Sequence, residues 1–240
     1  MRDTFLFDLD GTLLPMDFDK FMELYFYNLG KFFHGKIDPK KLAESVMKAT
    51  GYMIMTKNNQ TNEEKFMEFF GSLIEGDLEE YKEGFRLFYD SLFEDVRPST
   101  YQSEYMIKSV QLLKDKGYEV VVATNPLFPI QANYHRIRWA GFDKSDFSYI
   151  SSFEENKFCK PHIEYYQEVL NAINKTPENC YMVGNDIHDD LPAQMLGIPT
   201  YIIKDCMLNQ RKLENTADYN GTYQEFYEFV KKLPTIKATD

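Results

Sequence analysis

The chain has 240 residues, 43% of them hydrophobic, so it can fold around an ample core without disulfide or metal staples. Its formal net charge is −11, and no basic cluster or arginine-rich arm reverses that charge locally, which argues against nucleic acid as a partner. Three cysteines without a Cys-x-x-Cys pair, and no apolar run long enough for a membrane span or a leader, predict a cytoplasmic protein with no membrane partner.

The first predicted element is a buried strand, Thr4-Phe5-Leu6-Phe7, followed by the loop Asp8-Leu9-Asp10-Gly11-Thr12. An apolar run stopped by Asp and Gly is typical of a strand that ends in a turn. Two aspartates are therefore expected at the C-terminal end of a strand.

Residues 16–95 show aromatic side chains three and four positions apart, as in Phe18, Phe21, Met22 and Tyr25, and no strand pattern. Because this helical block interrupts the chain after the first strand, we interpret it as an inserted helical cap on a core made of residues 1–15 and 96–240. The alternative is that its helices pack on the same core. Aromatic stripes of this kind are more typical of buried packing than of a ring-binding site.

Beyond Pro98, helices and strands alternate. Strands are predicted at 119–124, near 148–151, at 180–183 and at 200–203, with helices between them and a closing helix near 222–232. Such alternation implies right-handed crossovers. The fold class is therefore α/β, a Rossmann-like parallel sheet with helices on both faces and an inserted α-helical cap.

Ligands of open parallel sheets bind at the C-terminal ends of the strands, where four polar segments are expected here. Taken singly, each segment has an ordinary explanation as turn residues or as acids that begin a helix. A calcium loop requires glycine at its sixth position. That position is Leu13 when counted from Asp8 and Leu191 when counted from Asp186, so this alternative fails.

Taken together and in order, these segments resemble the motifs of the haloacid dehalogenase-like (HAD) hydrolase superfamily, in its phosphatase branch with a helical cap of the first type. The matching positions are Leu6-Phe7-Asp8-Leu9-Asp10-Gly11-Thr12, then Thr124, then Lys160 before a proline, then Asp186 with Asp190. One departure is Asn185, which stands where the family often has an acid directly after the glycine. The four-residue spacing favours Asp190 over Asp189 as the second acid and leaves Asp189 as a bystander.

The resemblance implies a magnesium-dependent phosphatase that cleaves a small phosphorylated metabolite, a phosphate monoester, through an aspartyl-phosphate. Asp8 would attack phosphorus, Asp10 would act as general acid and then base, and Thr124 and Lys160 would stabilise the transferring group. Substrate contacts are expected from Gly11, Thr12, Thr124, Asn125 and Lys160. Oxygen ligands favour Mg²⁺, and the expected set is Asp8, the main-chain carbonyl of Asp10, Asp186, and Asp190 as a ligand or as the group that orients the ligands.

Three other functions compete with this hypothesis. A dehalogenase of the same superfamily has no use for an acid at position 10, so Asp10 favours phosphoryl chemistry. A phosphomutase of the superfamily, or an inactive binding protein with this fold, would keep the same sequence pattern. His188 lies within the fourth motif and is a further candidate for a substrate contact.

Overall fold

The computed structural model describes residues 2–236, which form a five-stranded parallel sheet in the order β2-β1-β3-β4-β5. The strands are β1 (Thr4–Phe7), β2 (Glu119–Val122), β3 (Cys180–Gly184), β4 (Thr200–Ile203) and β5 (Tyr219–Gly221). The residue pairs Phe7↔Val122 and Phe7↔Val183 set β1 in register with both of its neighbours. The C-terminal ends of β1, β2 and β3 therefore lie side by side at one edge of the sheet.

Side chains on β1 alternate between two hydrophobic clusters, one on each face of the sheet. Phe5 and Phe7 join a cluster with Phe226 of the C-terminal helix, and Leu6 joins another with Tyr165 and Met182. β1 and β4 are buried along their whole length, and apart from a threonine at the start of each their sequences are hydrophobic runs, as expected of strands covered on both faces. Helices thus cover both faces of the sheet.

Five helices and a 3₁₀ segment lie between β1 and β2, four of them before the 3₁₀ segment, and further helices follow β2. Each of the four begins at an Asp or Thr whose side chain accepts a backbone N–H, which supplies the missing partners of the first helical turn. The helices are α1 (Phe18–Phe32), α2 (Pro39–Met55), α3 (Asn62–Gly71), α4 (Leu78–Asp90), α5 (Glu104–Asp115), α6 (Ile130–Trp139), α7 (Ile163–Ala172), α8 (Ile187–Asp190) and α9 (Tyr223–Lys232). The 3₁₀ segments are Leu92–Ser99, Lys144–Asp146, Pro177–Asn179 and Leu191–Leu196.

The helices between β1 and β2 share a buried cluster with the sheet side of the molecule. Phe21, Tyr25 and Phe88 belong to the same cluster as Phe5, and the Phe93 ring stacks on the Trp139 ring of α6 at 5.3 Å between centroids. These contacts are compatible with a cap domain that packs on the core, and equally with extra helices that belong to one core. The boundaries at 15/16 and 95/96 stay a prediction.

The observed elements differ from the predicted ones at three places. The strand expected near 148–151 is a single bridge, Ile150 to Val122, and the short strand β5 was not predicted. The helix expected at 189–196 begins at Ile187 and continues as the 3₁₀ segment Leu191–Leu196. None of the helices described here is long and apolar enough to cross a membrane.

Candidate active site

The sheet brings three of the four predicted segments to one edge. Asp8 follows β1 directly, Thr124 lies two residues beyond β2, and Asn185 follows β3. The backbone N–H of Asp8 donates to the Val183 carbonyl at 2.8 Å, which continues the sheet pairing up to the first aspartate. Because β1 lies between β2 and β3, these segments surround the point where the strand order reverses, the usual ligand site of such folds.

Lys160 brings the third segment to the same place. Its buried ammonium donates to Asp8 Oδ1 at 2.9 Å and to Asp190 Oδ1 at 2.7 Å. Burial acts to lower the pKa of Lys160, but Asp190 and Asp8 outweigh it and raise that pKa, so the side chain stays charged. Burial raises the pKa of Asp8, and the Lys160 charge opposes that rise.

Protein groups occupy both carboxylate oxygens of Asp190. Oδ1 accepts from Lys160, and Oδ2 accepts from the backbone N–H groups of Asn185 and Asp186, each at 2.9 Å. A Cβ at Gly184 would lie 2.0 Å from Oδ2, so only glycine leaves room for this carboxylate. Asp190 thus fixes the loop after β3 and orients Lys160.

Three other oxygens of the site accept no hydrogen bond within residues 2–236, namely Asp8 Oδ2, the main-chain oxygen of Asp10 and Asp186 Oδ2. Asp186 uses Oδ1 to cap α8 through the N–H groups of His188 and Asp189. Burial and the nearby Asp189 and Asp190 raise the pKa of Asp186, and a bound cation would relieve this crowding of negative charge.

Hard oxygen donors of this kind fit Mg²⁺. In the described part of the chain no three His, Cys, Asp or Glu side chains form a ready metal cluster. Of the four predicted metal residues, Asp8, Asp10 through its main-chain carbonyl, and Asp186 each keep an oxygen that protein donors leave unused. Both oxygens of the fourth, Asp190, accept from protein groups, which suits its predicted alternative role of orienting the ligands.

Arg136 on α6 also belongs to the site, although it was not among the residues predicted from the sequence. Its buried guanidinium donates to Asp10 Oδ2, to Asn133 Oδ1 and to the Ala132 carbonyl, and lies 4.4 Å from the centre of the Phe128 ring. The other carboxylate oxygen, Asp10 Oδ1, is buried and has no hydrogen-bond partner among the described residues. Burial raises the pKa of Asp10, and Arg136 opposes the rise.

A periodic signal could have located Arg136. Asn133, Arg136, Ile137 and Ala140 are spaced as i, i+3, i+4 and i+7, and all four are buried. An arginine within the core-facing stripe of a helix requires an anionic partner in the interior. Among the predicted site residues, Asp10 is that partner.

The turn after Asp10 is held by contacts with other loops. Gly11 has φ +84°, and a Cβ there would lie 2.2 Å from Asn185 Nδ2. The Gly11 carbonyl accepts from the Tyr223 hydroxyl at 2.8 Å, and the Thr12 hydroxyl donates to Asn185 Oδ1 at 3.1 Å. Both residues shape the loop, and their contact with substrate stays a prediction.

Thr124, the predicted phosphate ligand, contacts its neighbours through its main chain. Its carbonyl accepts from the hydroxyls of Ser151 and Tyr165, at 2.7 and 2.8 Å. Its own hydroxyl donates to no acceptor in the part of the chain that the structure describes. That hydroxyl is therefore available to a phosphoryl oxygen.

Asn125 and Asp189 link neighbouring loops of the site. The Asn125 amide donates to Asp189 Oδ2 at 3.0 Å, and its oxygen accepts the Lys160 N–H at 3.2 Å. Asp189 Oδ1 pairs with His188 Nδ1 at 2.7 Å. Asn125 thus engages the protein where a substrate contact was expected, and Asp189, expected as a bystander, connects the second and fourth segments.

A comparison with models of protein families identifies the class of protein to which the chain belongs. The model of the haloacid dehalogenase-like hydrolases matches residues 2–195, and the chain belongs to this family. This confirms the family prediction, and the parallel sheet described above confirms the Rossmann-like α/β prediction.

Particular relatives are phosphatases and pyrophosphatases. The pyrophosphatase PpaX of Bacillus cereus (strain ATCC 10987 / NRS 248) is 26% identical over 214 residues, which cover 88% of each chain. A HAD phosphatase from Thermococcus onnurineus superposes with a TM-score of 0.62 at 18% identity, covering 98% of this chain and 100% of that one. The HAD-hydrolase YfnB from Bacillus subtilis, in a magnesium-bound crystal form, has a TM-score of 0.62 at 20% identity, covering 96% of this chain and 100% of that one. The two structures share the fold of this chain.

Proposed function

We propose that this HAD-family hydrolase is a magnesium-dependent phosphatase that cleaves a small-molecule phosphate monoester through an aspartyl-phosphate on Asp8. The observation that carries the proposal is the buried Lys160 ammonium between Asp8 and Asp190, at 2.9 and 2.7 Å. It fixes one oxygen of Asp8 and leaves the other without a protein donor. A carboxylate held in this way is positioned for attack on an incoming group.

Mg²⁺, held by Asp8, the Asp10 carbonyl and Asp186, would supply the positive charge that lets a carboxylate approach a phosphate dianion. Lys160 contributes a second positive charge next to Asp8 and the transferring phosphoryl group. Thr124 would donate its free hydroxyl to a phosphoryl oxygen. Positive charge and donors thus face the phosphate in a protein whose net charge is −11.

Asp10 has the environment that a general acid needs. Burial raises its pKa, so the carboxyl group retains a proton more readily than an exposed aspartate does. Arg136 occupies Oδ2, which leaves Oδ1 as the atom that carries the proton. Oδ1 would give this proton to the leaving oxygen and would later take one from the water that hydrolyses the aspartyl-phosphate.

Cellular context and domain roles are part of the same proposal. The cysteines Cys159, Cys180 and Cys206 are free thiols, which suits a reducing compartment such as the cytoplasm. The helices within 16–95 would act as the cap that covers the substrate. The partner would be a small phosphorylated metabolite rather than a nucleic acid.

The test is phosphate release from a panel of small esters, with Mg²⁺ and with excess chelator. We expect release that Mg²⁺ supports, that the chelator abolishes and that Asp8→Asn reduces by about 10⁴-fold or more. An Asp19→Asn variant, which changes an exposed acid on α1, is the matched control. Full activity with chelator or in Asp8→Asn would contradict the proposal. Isomerisation of a sugar phosphate without net release would favour a phosphomutase instead.

A further inference from the structure

A cavity of about 600 Å³ lies between α1–α4 and the segments Leu127–Pro129 and Phe153–Glu154. Its volume is in the range of pockets that hold a whole small organic molecule. Its walls are mainly apolar and include Met22, Phe26, Val46, Phe66, Met67 and Phe85. The proposed mechanism uses none of these residues.

One layer of side chains separates this cavity from Asp10, the proposed catalytic acid. Arg136 bonds to Asp10 and lies 4.4 Å from the centre of the Phe128 ring, and Phe128 lines the cavity. An acid that protonates the leaving oxygen must stand on the leaving-group side of phosphorus. The rest of the leaving group would therefore extend on the Asp10 side, the side on which Arg136 and Phe128 border the cavity.

The charges around the cavity disfavour a second phosphate. Four glutamates, at positions 63, 79, 83 and 154, face only two cations, Lys82 and Arg86, among the lining residues that the structure describes. Lys82 is paired with Glu79 at 2.7 Å, and Arg86 with Glu83 at 2.6 Å. An anionic leaving group would thus meet an excess of negative charge and cations that already have partners.

The hydrogen-bonding groups of the cavity do not suit a sugar. The Tyr25 and Tyr89 hydroxyls bond to each other at 2.9 Å. Thr50 and Gln131 are the remaining uncharged polar side chains among the described lining residues. Three of the four glutamates already accept hydrogen bonds from the protein, Glu79 from Lys82, Glu83 from Arg86 and Glu154 from the Ile130 N–H. A leaving group with several hydroxyls would therefore lose more water contacts than these walls replace.

We propose that the cavity binds the leaving group of the substrate and selects phosphate monoesters of apolar, ring-bearing alcohols or phenols over sugar phosphates and pyrophosphate. This proposal rests on the phosphatase function proposed above and adds the substrate class. It sets the chain apart from its relative PpaX, which is named a pyrophosphatase. The driving force is burial of apolar ring surface against apolar walls.

The test compares 2-naphthyl phosphate, phenyl phosphate, pyrophosphate and acetyl phosphate, with Mg²⁺ present. Naphthol and phenol are of similar acidity, so the first two esters differ mainly in apolar surface. We expect kcat/KM for the naphthyl ester to exceed that for the phenyl ester by about tenfold. Pyrophosphate should be the poorest substrate of the four.

A variant that fills the cavity tests whether the preference for the naphthyl ester arises there. Thr50→Trp, on α2, places an indole in the cavity and should lower kcat/KM for the naphthyl ester by about tenfold, with acetyl phosphate unchanged. Lys48→Trp, on an exposed position of the same helix outside the cavity lining, is the matched control and should change neither. Met22→Trp on α1 repeats the test if Thr50→Trp fails to fold. Equal loss for both substrates, or no loss in either filled variant, would overturn the proposal.

A binding measurement separates this proposal from the phosphatase function. Equilibrium dialysis with 2-naphthol, the dephosphorylated product, needs no catalysis. Binding by the unmodified protein, weakened about tenfold by Thr50→Trp and unchanged in Lys48→Trp, would support the cavity as the site even if no ester were hydrolysed. Absence of binding, or equal binding by both variants, would count against the cavity even if phosphate were released.

Discussion

Replacing Arg136 by methionine removes the cation that faces Asp10 in the protein interior. Arg136 is fully buried, and the Asp10 side chain is 22% exposed. Loss of one partner of a buried ion pair costs about 3–5 kcal/mol, because the remaining charge keeps its desolvation penalty. Since Asp10 retains some solvent contact and can take up a proton, we expect the lower end of that range, about 3 kcal/mol.

For a chain of this size, that loss corresponds to a fall in the melting temperature of about 6–12 °C. Thermal unfolding followed by circular dichroism, in chelator, measures it. The double variant Arg136→Met with Asp10→Asn should regain more than half of the loss, because no unpaired charge then remains. Arg136→Lys keeps the charge but loses the contacts to Ala132 and Asn133, so it should fall between methionine and the native residue.

The loss of stability in Arg136→Met should depend on pH, because Asp10 can be protonated. Burial raises the pKa of Asp10 in the folded protein above its unfolded value, so the folded state binds this proton more tightly. Arg136 lowers the pKa of Asp10, so this pKa lies higher still in the folded Arg136→Met protein. The cost of the substitution is therefore full above the variant's pKa and decreases as pH falls through it toward the Asp10 pKa of the folded native protein, because the unfolded value is common to both. Two results together would refute this pairing. One is a loss of stability that is the same at mildly acidic and alkaline pH, and the other is a double variant whose loss equals the sum of the two single losses.

Asp186→Asn should weaken the apparent Mg²⁺ affinity by about tenfold, whereas Asp189→Asn, whose oxygens pair with protein groups, should leave it nearly unchanged; equal Mg²⁺ titrations of phosphate release would be the contrary result. Gly11→Ala should lower the melting temperature and the activity, because a residue at φ +84° costs about 1–3 kcal/mol when it carries a Cβ, and a silent substitution would disprove the strain. Lys160→Met should move the acidic limb of the kcat/KM profile to higher pH, because Lys160 lowers the pKa of Asp8; an unmoved limb would count against that charge effect.

The sequence was informative where pattern and burial coincide. The strand predicted at 200–203 is β4. Four consecutive apolar or β-branched residues favour a buried strand, and all four are buried. The strand β5 was missed because Tyr219–Gly221 is short, and Tyr219 and Asn220 are exposed. It forms through pairing of Tyr201 with Tyr219, a contact that local sequence does not encode.

For the site, linear order located the aspartates and Lys160 but not their pairings. The spacing of Asp186 and Asp190 did not predict that Asp190 accepts hydrogen bonds from two backbone N–H groups, nor that Asn125 donates to Asp189. Arg136 was missed because an arginine in a helix is usually solvent-exposed, and its partner lies 126 positions away. Such contacts depend on how α6 packs against the loop after β1, which only the tertiary structure shows.

We propose above that Asp8 becomes phosphorylated and that Asp10 serves both steps of the reaction. An aryl phosphate with a good leaving group needs little protonation, so in Asp10→Asn the first step should survive while hydrolysis of the intermediate stalls. Rapid mixing with Mg²⁺, followed by intact-mass measurement and peptide mapping, should find one phosphoryl group on Asp8 and a burst of phenolate equal to the enzyme. An Asp10→Asn protein that is slow from the first turnover and never carries phosphate would contradict the claim.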